Sequence, residues 1–211
     1  MNRKVVFWIG VLGILLFIGT AILGGLLIEG YSISSQYISE SYAIDTEYGL
    51  LLRLLGYIPS GILITVFCFL STRYFPPTRG VKYGVWGVGF LYGVGTIIVS
   101  IFPCDSGCNP EYINPSISQI IHNFSALLVY AFTPTSIIIT GIGLKKFPRY
   151  KNLAIVSIVF GALSAVFVGI LLSDVSSNIV GIYQRSIELI ILCWLFLIAF
   201  KIKKIPYERK N

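Results

Sequence analysis

The chain contains a single histidine, His122, placed fourteen residues after a short polar loop, Phe102-Pro103-Cys104-Asp105-Ser106-Gly107-Cys108, that holds two of its four cysteines. Residues of these types can do acid–base chemistry, with Asp105 orienting His122 as a general acid or base. They could also ligate a metal through Cys104, Cys108, His122 and Asp105, but one histidine and a loop on an oxidising face favour a Cys104–Cys108 disulfide, and no metal is expected. Closing so small a ring stabilises by about 2 kcal/mol on the loop-entropy model. Cys68 and Cys193 fall inside apolar runs and read as packing.

A second set lies in the apolar segments: Arg53, Gln184, Arg185 and Glu188. A charge at a helix centre costs about 3 kcal/mol on insertion scales, so retained charges usually face the protein interior or water. Arg185 and Glu188 are three residues apart on one helix face, which makes Arg185 the nearest partner for Glu188. Arg53 and Arg185 together could clamp a phosphate, because planar guanidiniums bind its oxygens bidentately. The plainer reading is that the arginines snorkel to the surface and that His122 only bridges helices by hydrogen bonds. No G-x-S-x-G, H-E-x-x-H or P-loop accompanies the histidine. Asn123-Phe124-Ser125 has sequon spacing, but within a helix the match is spurious.

The elements that must position these residues are apolar and long. Mean hydropathy is +0.83; 55% of residues are hydrophobic and only 12% charged, against about a quarter charged in soluble domains. Six runs are predicted to be helices, at about 5–28, 50–71, 83–102, 117–144, 153–173 and 180–200, each near the roughly 20 residues that span a bilayer. The first is expected to be a retained helix, since no A-x-A-like cleavage site follows it. Phe102-Pro103 ends the third helix, and Ser116 with Gln119 has the spacing of a capping box opening the fourth. In the fifth, Ser157, Gly161, Ala165 and Gly169 make a small-residue ridge suited to close packing. The expectation is an all-α membrane protein, a six-transmembrane bundle forming one domain over 1–211.

Charge sets the orientation. Fourteen lysines and arginines lie in the N-terminal segment, the turns after the second and fourth helices and the tail, the last including Arg209 and Lys210. The other three loops carry seven acids and no base. The positive-inside rule then puts both termini in the cytoplasm and the acidic loops outside. The net charge of +7 is thus a topology signal, and nucleic acid is not an expected partner.

Ile33-Ser34, Ile38-Ser39-Glu40, Phe102-Pro103-x-Asp105, His122-x-x-x-Ala126 and Gln184-Arg185 resemble the prokaryotic membrane family called domain of unknown function 998. That family is in turn distantly similar to the six-helix Frag/DRAM/Sfk-like proteins. The resemblance covers nearly the whole chain and implies six helices in a plasma membrane, but no reaction and no cofactor. Relatives of the wider group are associated with lipid organisation and remodelling, which reaches this chain only by analogy.

Three functions follow as expectations. The first is a non-catalytic binding or regulatory protein, with Arg53, Asp105, His122, Gln184, Arg185 and Glu188 converging on an outward pocket for an anionic lipid head group. The second is a lipid-modifying enzyme using His122 and Asp105. The third is a transporter, which the absence of a midplane charge and of an inverted repeat makes weakest.

Overall fold

The computed structural model describes residues 2–204; Arg209 and Lys210 of the basic tail lie outside the described residues. Among the described residues the regular structure is all helical, in six long runs. These are α1 (Arg3–Leu27), α2 (Gly49–Tyr74), α3 (Arg79–Ile101), α4 (Ile117–Leu144), α5 (Lys151–Ser173) and α6 (Val180–Lys203). The first five are long and apolar enough to cross a membrane. Neighbours in sequence are neighbours in space, and α6 returns to α1, so the helices close a ring in chain order.

Local chemistry explains where the helices differ from expectation. Helix α3 starts at Arg79 rather than at 83, because the Thr78 hydroxyl accepts the Val81 N–H at 3.1 Å. Arg79 and Lys82 are therefore helical, not part of a turn. Ser116 does accept the Gln119 N–H, at 3.1 Å, but Gln119 does not complete the capping box. Asp105 takes that role from the preceding loop, accepting from the Ser116 N–H at 3.0 Å and the Ser116 hydroxyl at 2.5 Å.

Two helices carry a wide π-type turn, Arg53–Tyr57 in α2 and Gly89–Val94 in α3. In α2 the Ile58 N–H bonds back to Arg53 O, just ahead of Pro59, which has no N–H to give. Beside the second turn, α2 and α3 touch closely: a Cβ on Gly93 would lie 2.9 Å from Thr65 N, and one on Gly61 would lie 2.7 Å from Gly93 O.

The small-residue ridge of α5 is used only in part. A Cβ on Gly161 would lie 2.7 Å from Pro134 O of α4, and the Ser157 hydroxyl receives the Trp194 indole N–H at 2.8 Å. Ala165 is exposed, and nothing lies within 4 Å of a Cβ built on Gly169. The four-residue spacing drifts around the helix, and the buried face of α5 continues instead through Ser164, Val168 and Leu171.

Burial runs opposite to that of a soluble protein. Leu26, Leu55, Phe90, Ile117 and Leu189 are 60% exposed or more, while Gln184, Glu188 and His122 are buried. Such an apolar exterior around polar interior groups suits a hydrocarbon surrounding.

Candidate functional site

The loops 29–48, 102–116 and 174–179 pack on one another at one end of the ring. Ile44 N–H donates to Cys104 O at 3.0 Å, and the Tyr37 hydroxyl donates to Val175 O at 2.9 Å. Cys104 and Cys108 lie within disulfide-bonding distance. Among the described residues no group of His, Cys, Asp and Glu is arranged to hold a metal ion.

Beneath these loops is a cavity of about 280 Å³. Leu127 of α4, Leu172 of α5 and Val175 edge it and are 42–48% exposed. Its depth is formed by buried groups from all six helices: Phe17, Tyr57, Tyr92, His122, Tyr130, Leu171, Gln184 and Glu188, with Tyr42 from the loop above. Both π-type turns contribute a tyrosine here, Tyr57 and Tyr92.

The hydrogen bonds at the bottom run in one direction, fixed by a backbone donor. Ile38 N–H can only donate, so the oxygen it meets at 2.6 Å identifies Gln184 Oε1 and turns Gln184 Nε2 toward Tyr130. That amide donates to the Tyr130 hydroxyl at 2.9 Å, and Tyr130 donates in turn to Glu188 Oε1 at 2.8 Å. The Tyr92 hydroxyl donates to Glu188 Oε2 at 2.5 Å. Each carboxylate oxygen therefore holds one phenolic proton, which offsets part of the cost of burying it. The hydroxyl of Tyr57 is buried without a hydrogen-bond partner among the described residues.

His122 is fixed from its other side. Nδ1 lies 3.1 Å from Val99 O and 2.9 Å from Phe102 O, which can only accept, so Nδ1 carries the proton. In the neutral ring Nε2 then keeps the lone pair, on a side chain that lines the cavity.

The expected convergence of all six candidate residues does not occur. His122, Gln184 and Glu188 line the cavity; Arg53, Asp105 and Arg185 do not. Arg53 donates to Gly49 O at 3.2 Å and Ser100 O at 3.4 Å. Arg185 turns away from Glu188 to the first loop, donating to Ile33 O and Gln36 O at 2.8 Å each and to the Tyr31 hydroxyl at 2.6 Å. The reason is geometric: the loop lays several bare carbonyls over the start of α6, and a guanidinium can serve them all without being desolvated.

Asp105 likewise bonds Ser116 and not His122, so the acid–base pair is not assembled. Its carboxyl is held below the usual carboxylate range, first by the Ser116 hydroxyl and then by the Ser116 N–H. Ser106 and Ser118 serve Asp45 Oδ2 and Pro103 O, leaving neither as a nucleophile for His122. Tyr37, at the cavity mouth, has its phenol raised to about 12 by burial, then by Glu40 and Asp174.

Sequence reading missed Tyr42, Tyr57, Tyr92 and Tyr130. Pro59 and the glycines at 89 and 93 were the available signals, since both mark places where α2 and α3 leave regular geometry.

No curated protein and no solved structure matches the chain. A family model does match, over residues 11–201, a span that contains every residue of the cavity as well as Arg53, Asp105 and Arg185. The chain therefore belongs to the family described as Protein of unknown function (DUF998).

Proposed function

We propose that this chain is a plasma-membrane protein with six spans, α6 included, both termini cytoplasmic and the acidic loops outside. We further propose that it is a non-catalytic binding protein, whose outward cavity takes the head and first carbons of a membrane amphiphile. One observation carries this reading: the cavity wall grades from exposed apolar residues at its edge, Leu127, Leu172 and Val175, to buried hydrogen-bonding groups at its floor. That is the polarity profile of a molecule with one wet end and one greasy end. A volume of about 280 Å³ lies just below the usual span of ligand sites, roughly 300–1,000 Å³, and suits a head group rather than a whole lipid. The arginine phosphate clamp is no part of this reading, because both guanidiniums are committed to backbone carbonyls. A lipid-modifying enzyme is favoured only by the lone pair on His122 Nε2, since Asp105 is bonded to Ser116 and the Ser106 and Ser118 hydroxyls to Asp45 and Pro103.

Native mass spectrometry of protein purified in a neutral detergent is expected to show a co-purified lipid-sized species. Ala126 lines the cavity and is only partly buried, so A126W should fill the site and remove that species while the fold persists. Retention of the same species by A126W would defeat the cavity as the binding site.

A further inference from the structure

We propose that the ligand carries an organic ammonium group, held between aromatic rings and the Glu188 carboxylate. This rests on the cavity being the ligand site and adds the charge of what enters it.

The floor presents acceptors. The hydrogen-bond chain that begins at Ile38 N–H ends on Glu188, and the phenolic protons of Tyr92 and Tyr130 are already given to that carboxylate. Two of a carboxylate's roughly four acceptor positions remain. No lysine or arginine is among the lining residues, and the nearest in sequence, Arg185, is tied to the first loop. His122 uses Nδ1 to donate to carbonyls and presents an acceptor in its neutral form. An anion entering here would meet a carboxylate with no cation to offset it. A neutral alcohol would find the Tyr92 and Tyr130 protons already given to Glu188, and the Tyr57 hydroxyl uncommitted among the described lining phenols.

The wall is aromatic. Phe17, Tyr42, Tyr57 and Tyr92 form one continuous aromatic surface, with centroids 4.7 Å apart for Tyr42–Tyr57, 5.4 Å for Phe17–Tyr57 and 5.9 Å for Phe17–Tyr92. Ring faces carry the negative side of the aromatic quadrupole and attract ammonium groups, most strongly where water is excluded. Charge near the mouth has the same sign: Glu40 and Asp174 both act on Tyr37, and the loops on this side contain seven acids and no base. Floor, wall and entrance therefore all favour a cation, and the apolar edge favours one with a hydrocarbon part.

The test is calorimetric titration of the full chain in dodecyl maltoside with three probes matched in non-hydrogen atom count: butyltrimethylammonium, 1-heptanol and butanesulfonate. Butyltrimethylammonium is expected to bind at least about tenfold more tightly than 1-heptanol, with no binding of butanesulfonate. E188Q should weaken the ammonium probe by about tenfold while leaving 1-heptanol within about threefold. Y42L, which leaves the Glu188 bonds in place, should weaken the ammonium probe selectively as well, and so tests the cage if E188Q fails to fold. Equal affinity for 1-heptanol or butanesulfonate, absence of ammonium binding, or indifference of that binding to both variants would overturn the inference. The cavity reading fails separately, if A126W leaves 1-heptanol binding unchanged.

Discussion

Glu188 keeps its buried position through two phenols rather than through an ion pair, and this sets what substitutions at the helix α6 charges should do. Replacing Glu188 with alanine leaves the Tyr92 and Tyr130 hydroxyls without their acceptor, at a cost of about 1–3 kcal/mol for each buried group so stranded. Replacing Arg185 with alanine loses the bonds to the first loop and leaves the cavity floor alone. We therefore expect R185A and E188A to destabilise additively within about 0.5 kcal/mol, read from unfolding in detergent; a coupling above about 1 kcal/mol would show that they do interact. Asp105 allows a pH argument. Its folded-state pKa is depressed by Ser116, so its stabilisation is present above the unfolded carboxylate pKa of about 3.9 and is lost as pH falls through the lower folded value. The melting-temperature gap between wild type and D105N should be constant near neutrality and close below about pH 4. A gap unchanged at pH 2.5 to 3 would mean that the carboxylate charge is not what Ser116 recognises.

Among the elements, α5 carries two glycines of opposite surroundings. At Gly161 any side chain meets the Pro134 carbonyl and Ile138 of α4, whereas at Gly169 there is open space. Leucine at 161 therefore overpacks the α4–α5 contact, which typically costs about 1–3 kcal/mol. Leucine at 169 should be tolerated within about 0.5 kcal/mol. Paired thermal unfolding of G161L and G169L checks this, and equal losses would contradict the difference in packing between the two sites.

For the whole molecule, the proposed orientation follows from charge and is open to labelling. Single cysteines at Ser35, Thr78, Lys151 and Asn178, in a background lacking the exposed Cys193, should divide cleanly in intact cells treated with a membrane-impermeant thiol reagent. Those at 35 and 178 are expected to react and those at 78 and 151 to react only after permeabilisation. Labelling at 151 in intact cells would reverse the orientation and put the cavity on the cytoplasmic side. Its loops would then face a reducing compartment, and the Cys104–Cys108 pair should be recovered as free thiols.

Much of the architecture was written in composition and spacing. Apolar runs longer than a bilayer needs fix where helices lie, because backbone groups in hydrocarbon must bond within their own segment. The cap at Ser116 and the small residues at 157 and 161 were legible for the same reason, being local in sequence. The partners of the polar residues were not. Glu188 stands three places from Arg185, yet it bonds Tyr92 and Tyr130 from α3 and α4, since Arg185 finds a denser set of acceptors in a loop some 150 positions away. Asp105 chose Ser116 over His122, and two tyrosines were turned inward by departures from regular helix that Pro59 and the glycines only hinted at. Sequence alone determines that these groups must be satisfied, because leaving them bare in an apolar surrounding is too costly. Which acceptor meets which donor is decided by how six helices close into a ring, and so is the acidic, aromatic character of the cavity they enclose.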